Sequence, residues 1–266
     1  GNNSPALVAQ SIGGGGGWAA AADGQVDMGA NTIGASNNQA GSVNVTTNGA
    51  IQTAGINSTG ILAQSVGGGG GFLGINTAND YRMLLGSSSS EGSNNSSDVS
   101  VDNKGTITTT GNNSAALIAQ SIGGGGGSAS INWKETDDRD GEASTPPLFL
   151  GGVDAKTSNS GNITVTNQSK LTTTGLASPA LLIQSIAGGG GAIQSLDEAY
   201  AGIIEFGYDV ESRTAKTEAS AGSINFSSVG GSVISTSGER SAAAILQSIG
   251  GGGGWGLVNA RTAGVL

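Results

Sequence analysis

The chain has no cysteine and no histidine, and charged residues make up only 11% of it. Without cysteine there is no disulfide framework and no thiolate metal site. Without histidine the commonest general base and the commonest metal ligand are both missing. Lys and Arg number 10 against 19 Asp and Glu, a net charge of −9. That balance argues against a basic face for nucleic acid or for an anionic membrane. No apolar stretch approaches the ~18 residues of a membrane-spanning helix, and no charged-then-apolar opening segment reads as a signal peptide. The chain starts and stops in mid-pattern, so it reads as an excerpt of a longer protein whose targeting signal or anchor lies elsewhere. The lack of thiols suits export in an unfolded state.

What the chain has in abundance is glycine, 50 residues of 266. The glycines cluster, so a collagen repeat, with glycine at every third position, is excluded. They follow a fixed lead-in: Gln10-Ser11-Ile12 before Gly13, Gln64-Ser65-Val66 before Gly67, Gln120-Ser121-Ile122 before Gly123, Gln184-Ser185-Ile186-Ala187 before Gly188, and Gln247-Ser248-Ile249 before Gly250. An apolar run that empties into glycine at a wide period marks a repeat architecture. Other columns keep step with the glutamine. Six residues earlier stands serine (Ser4, Ser58, Ser114, Ser178, Ser241), and nine earlier glycine (Gly1, Gly55, Gly111, Gly175, Gly238). Eleven earlier stands threonine (Thr53, Thr109, Thr173, Thr236). Further back are the alternating pairs Val43/Val45, Val99/Val101, Ile163/Val165 and, displaced by an insertion near Val229 to Gly231, Ile224/Phe226.

Short β-branched segments with period-two alternation, punctuated by Gly and Asn, predict strands. Helices are disfavoured, because Gly, Asn, Thr and Ser are poor helix formers; only Asp197 to Tyr200 suggests a short helical turn. The fold class expected is all-β, a parallel β-helix (β-solenoid) forming one repetitive unit over 1–266. Its approximate modules are 1–40, 41–96, 97–160, 161–221 and 222–266. The glutamines lie 54, 56, 64 and 63 residues apart. At roughly 20–30 residues per coil, each module predicts about two coils, one fixed and one variable. Nine or ten coils would make a rod of about 45 Å. The variable halves share an apolar pair before glycine, as at Leu84-Leu85-Gly86 and Phe149-Leu150-Gly151.

Residues 41–71, G-S-V-N-V-T-T-N-G-A-I-Q-T-A-G-I-N-S-T-G-I-L-A-Q-S-V-G-G-G-G-G, have near-copies at 97–127 and 161–191. They resemble the repetitive passenger region of large autotransporter (type V secreted) adhesins of Gram-negative bacteria. The resemblance covers somewhat over half of the chain. It implies a right-handed parallel β-helix at the bacterial outer-membrane surface or in the extracellular space, serving as an adhesin or stalk. It implies no catalytic residues and no cofactor. A two-partner-secreted filamentous adhesin would read similarly. Variable loops would meet a host-cell, surface or matrix ligand, and uncapped terminal coils would allow self-association into fibres.

The individual motifs divide between functional and architectural readings. Successive glycine N–H groups can cradle an anion, but no G-K-[ST] follows any run. The architectural reading is an ordered polyglycine layer in extended polyproline-II form, with Gly13, Gly67, Gly123, Gly188 and Gly250 as its first members. Gln10, Gln64, Gln120, Gln184 and Gln247 share a strand face with the aliphatics two residues to either side. They are therefore expected to point inward and to bond main chain of the adjoining coil or of the glycine run; a solvent-facing bend is the alternative. The threonine column permits an ice-binding face, and a carbohydrate-binding face is the related reading. A β-helical polysaccharide-active enzyme would need clustered carboxylates. The candidate cluster Asp137, Asp138, Asp140 and Glu142 lies in one variable half; it reads as a solvated loop that at most holds Ca²⁺ weakly. Trp18, Phe72 and Trp255 follow glycine runs directly, and packing over the run is the expectation.

Overall fold

The structure, a computed structural model, describes residues 1–21, 26–29, 37–77, 83–86, 93–133, 148–151, 157–195, 204–206 and 218–257. Asp197 to Tyr200 fall outside them. The first turn of the chain runs through β1 (Leu7–Ile12), β2 (Gly17–Ala21), β3 (Val26–Asp27), β4 (Val43–Thr47) and β5 (Ile51–Thr53). The second has β6 (Ile61–Val66), β7 (Gly71–Thr77), β8 (Met83–Leu85), β9 (Val99–Asn103) and β10 (Ile107–Thr109). The third has β11 (Leu117–Ile122), β12 (Gly127–Trp133), β13 (Leu148–Leu150), β14 (Ile163–Asn167) and β15 (Leu171–Thr173). The fourth has β16 (Leu181–Ile186), β17 (Gly191–Ser195), β18 (Ile204–Phe206), β19 (Ile224–Ser228) and β20 (Ile234–Thr236), and a fifth opens with β21 (Ala244–Ile249) and β22 (Gly254–Leu257).

Each of the first four turns gives one strand to each of five parallel sheets, and among the described residues the fifth adds a strand to two of them. The first sheet has the order β1-β6-β11-β16-β21, and the others stack in the same way. Register follows the sequence columns: Gln10 lies against Gln64, Gln64 against Gln120, Gln120 against Gln184 and Gln184 against Gln247. The architecture is thus all-β and solenoid-like, but two coils per module is corrected. Strands of successive modules bond to each other directly, leaving no place for an interleaved coil. One module is one coil, and five coils at ~4.8 Å span about 20–25 Å along the axis, roughly half the length expected from two coils per module.

The two halves of a module lie side by side within a single coil. The reason is the first sheet, whose inner strands are buried on both faces (Ile61 to Val66 throughout). One face carries Ile61, Ala63, Leu117, Ala119, Leu181 and Ile183, which pack against Val43, Val99, Val101, Val165, Ile107 and Leu171 of the fourth and fifth sheets. The other face carries Leu62, Ile118 and Leu182, which pack against Phe72 and Ala192 of the second sheet. The second sheet turns Leu73, Ile75, Ile131 and Ile193 the opposite way, onto Leu85, Leu148 and Leu150 of the third. The outermost coils lack one neighbour, so Val8, Ile12 and Leu246 stand exposed where their inner counterparts are buried.

The two-residue offset in the fourth turn is a turn at Gly230 and Gly231, both with positive φ (67° and 75°). It lets β19 and β20 keep register with β14 and β15. A second positive-φ column marks the corner before the first sheet: Asn3, Asn57, Asn113, Ala177 and Arg240, with φ between 50° and 56°. Asparagine tolerates this region and alanine does not, at a cost of roughly 1–2 kcal/mol. Ala177→Asn is therefore expected to raise stability by about 1 kcal/mol, read as a higher denaturation midpoint. An unchanged or lower midpoint would refute the strain assigned to this corner.

Candidate functional site

The residues repeated in every module converge on one place, the junction between the two halves of the coil. Gln64, Gln120 and Gln184 are fully buried. Each lies between two aliphatic columns, Leu62/Ile118/Leu182 on one side and Val66/Ile122/Ile186 on the other. Their amides bond to one another. Gln10 Nε2 donates to Gln64 Oε1 (2.5 Å), Gln64 to Gln120 (2.5 Å), Gln120 to Gln184 (2.6 Å) and Gln184 to Gln247 (2.8 Å). Gln120 Nε2 also reaches Ser128 Oγ at 3.1 Å. The inward orientation is as expected, but the amide partner is the next glutamine and not main chain. The reason is spacing: parallel in-register strands set identical amides one hydrogen bond apart. Turning the Gln64 amide alone would face nitrogen to nitrogen and oxygen to oxygen along the column. The five amides therefore share one polarity. With all of them reversed, Gln64 would also meet Gly17 O at 3.2 Å and Phe72 N at 3.1 Å, which bonds the column to the glycine strand.

Opposite the glutamines the glycine runs form a layer of main chain. Gly13, Gly14 and Gly17 donate to Val66, Gly67 and Gly70 of the next coil, and Gly67, Gly68 and Gly71 donate in turn to Ile122, Gly123 and Gly126. A Cβ on Gly70 would lie 2.1 Å from Gly126 O, and one on Gly126 2.2 Å from Gly190 O. The last two residues of each inner run have positive φ (89° and 122° at Gly70 and Gly71), so the layer is not uniform polyproline-II. Nearer the start of the run the returning chain crosses: a Cβ on Gly67 would meet Asn95 main chain at 2.7 Å, and one on Gly68 would meet Asn94 Nδ2 at 2.4 Å. Gly70 N and Gly126 N take Met28 O and Leu85 O from the preceding coil. These N–H groups are committed within the protein, which removes the anion-nest reading. By hydrogen-bond register the counterpart of Gly13, Gly67, Gly123 and Gly250 is Ala187, and Gly188 matches Gly124. Ala187 N donates to Ile249 O.

Two serine columns close the coil. Ser65 Oγ accepts from Ser97 N (2.9 Å) and donates to Gly41 O (3.0 Å); Ser121 does the same with Gly161 N (2.8 Å) and Ser97 O (2.9 Å). This serine clasps the chain leaving the first sheet to the chain coming back from the second half. At the corner, Ser114 Oγ accepts from Ser58 N (2.9 Å) and donates to Gly55 O (2.8 Å). The threonine column is internal: Thr109 and Thr173 are fully buried and donate to Ser114 O and Ser178 O, both at 2.6 Å. It is not a water-ordering face. A further buried column, Thr47, Asn103 and Asn167, escaped the sequence reading. Thr47 Oγ1 donates to Asn103 Oδ1 (2.7 Å) and Asn103 Nδ2 to Asn167 Oδ1 (2.8 Å). Its signal was a polar residue two places beyond each aliphatic pair, where the face still points inward.

Phe72 is buried beside Leu62, and Trp18 and Trp255 pack at the two ends of the same cluster. On the outer surface Asp102 accepts from Gln168 Nε2 (2.7 Å) and pairs with Lys104 Nζ (3.2 Å); those two contacts hold its carboxyl below the usual range. Asp137, Asp138, Asp140 and Glu142 lie outside the described residues. Among the described residues there is no group of three or more His, Cys, Asp or Glu placed to hold a metal ion, and no helix is long and apolar enough to cross a membrane.

Gly126→Ala is expected to cost about 3 kcal/mol or more, or to prevent folding, because its Cβ has no room and its φ is positive. Gly49→Ala, whose Cβ meets nothing within 4 Å, serves as the control and should be near neutral in chemical denaturation. Gln120→Leu should cost about 2–4 kcal/mol by leaving the Gln64 and Gln184 amides each short of one partner in the interior; a loss under 1 kcal/mol would show the column to be dispensable. No protein-family model matches the chain, and no curated protein or solved structure matches it significantly.

Proposed function

We propose that the chain is a structural segment of a bacterial cell-surface or extracellular fibre, of the autotransporter adhesin-passenger kind, acting as a stiff stalk that presents variable loops. On this reading the coil winds right-handed, the sense that parallel crossover connections adopt. The observation that carries the proposal is the continuity of the columns. Main chain, glutamine amides, serine hydroxyls and glycine contacts all run from coil to coil along one axis. Each coil meets only its neighbours, so length can be added without changing any contact, which is the requirement for a stalk. The sequence between the conserved halves differs in length from module to module, the pattern of surface insertions on a solenoid. Specificity for a host-cell, surface or matrix ligand would reside in those segments. Export in an unfolded state followed by coil-by-coil stacking fits a chain with no thiols.

Electron micrographs of the intact protein on its cells are expected to show long filaments, and a compact soluble particle would overturn the reading. Mechanical pulling on this chain should release one coil at a time. Each step would lengthen the chain by about 180–230 Å, the reach of 54 to 64 extended residues. A single all-at-once rupture would contradict nearest-neighbour stacking.

A further inference from the structure

Where the corner turns meet the second sheet there is a cavity of about 10 Å³, lined by apolar side chains such as Phe72, Pro179 and Ile245 and by the polar Asn113, Ser130 and Gln194. Asn113 Nδ2 and Oδ1, Ser130 Oγ and Gln194 Nε2 are buried and have no hydrogen-bond partner in the protein. The three residues are 2%, 2% and 8% exposed. An unpaired buried polar atom costs about 1–3 kcal/mol, and four around one space point to a missing partner. The asparagine column accounts for part of the gap. Asn57 Nδ2 donates to Asn3 Oδ1 in the preceding coil at 3.1 Å. A side-chain amide at 177 would donate to Asn113 Oδ1 in the same way, and Ala177 has none, while Asn113 Nδ2 and Asn57 Oδ1 do not bond to each other and both stay unpaired. Ser128, also on the wall, already receives Gln120 Nε2.

We infer that this cavity is a binding site for one ordered water molecule. The volume is that of a single water, and the polar lining supplies the two to four partners an internal water needs. Asn113 offers both a donor and an acceptor, Gln194 a donor, and Ser130 a hydroxyl that serves either way. No larger ligand fits, and the lining has no charge to hold an anion. The water links Asn113, at the corner of the first half of the coil, to Ser130 and Gln194 of the second sheet.

The test is a crystal structure of this chain at a resolution that shows water, together with magnetisation transfer from water to side-chain amides in solution. A single density peak within hydrogen-bonding distance of Asn113 and of Ser130 or Gln194 is expected, with long-lived water cross-peaks at the Asn113 and Gln194 amides. The Gln64 amide, held in its column, should show none. Ser130→Val, which fills the space, should abolish the Asn113 cross-peak; if that variant fails to fold, the map of the unaltered chain decides. An empty cavity overturns the inference, as does Asn113 turned onto a protein partner. A peak surrounded by five or six oxygens at cation distances overturns it too.

Discussion

Successive coils lie one β-ladder apart, ~4.8 Å, and every other feature of the molecule answers to that spacing. Whatever occupies a point in one coil must tolerate its own copy less than 5 Å away. Aliphatic side chains do so by stacking into columns. Amides and hydroxyls do so by bonding to their copies, as Gln64 does to Gln120 and Ser58 N does to Ser114 Oγ. Where main chain crosses main chain there is little room for a side chain, and there the sequence has glycine, with Ala187 the one exception at the first place of a run. The polyglycine runs are therefore among the most constrained parts of the coil. The conformational entropy they lose on folding is offset by the hydrogen bonds of the layer.

The first sheet makes a two-part coil workable. Its strands face two cores at once, which is why one module closes as one turn. The glutamine sits on the face toward the glycine layer, and the serine after it sits on the opposite face, where the chain returns. Adjacent residues thus fasten the two sides of the junction. A buried polar network is favourable only when it is fully bonded, and repetition supplies the partners of the inner glutamine amides. Where repetition lapses, as at Ala177, the network is left with unpaired groups beside a small cavity.

These contacts lie along the axis, so they build extension. The faces turned outward carry short polar residues such as Asn44, Thr164 and Ser100. Contacts that run only from one coil to the next are what the stalk proposal rests on.

The sequence by itself determined the strands of the first, third, fourth and fifth sheets and the alignment of the columns, because period-two alternation and fixed offsets from each glutamine are local signals that a parallel stack reproduces without change. The strand after each glycine run, such as Gly71–Thr77, and the direct pairing of one module with the next were not legible in it. It also determined that the glutamines face inward, since Leu62 and Val66 flank Gln64 on one strand face. It did not determine how many coils a module makes. That depended on Ile61, Ala63 and Ser65 being buried as fully as Leu62, Gln64 and Val66. The run Ile61 to Val66 carried a trace of this, since a strand buried on both faces loses its alternation. Only the tertiary structure decided which groups the amides meet and why each glycine is glycine. Both depend on atoms 54 to 64 residues apart in sequence, brought together by a crossing of main chain that no local pattern encodes.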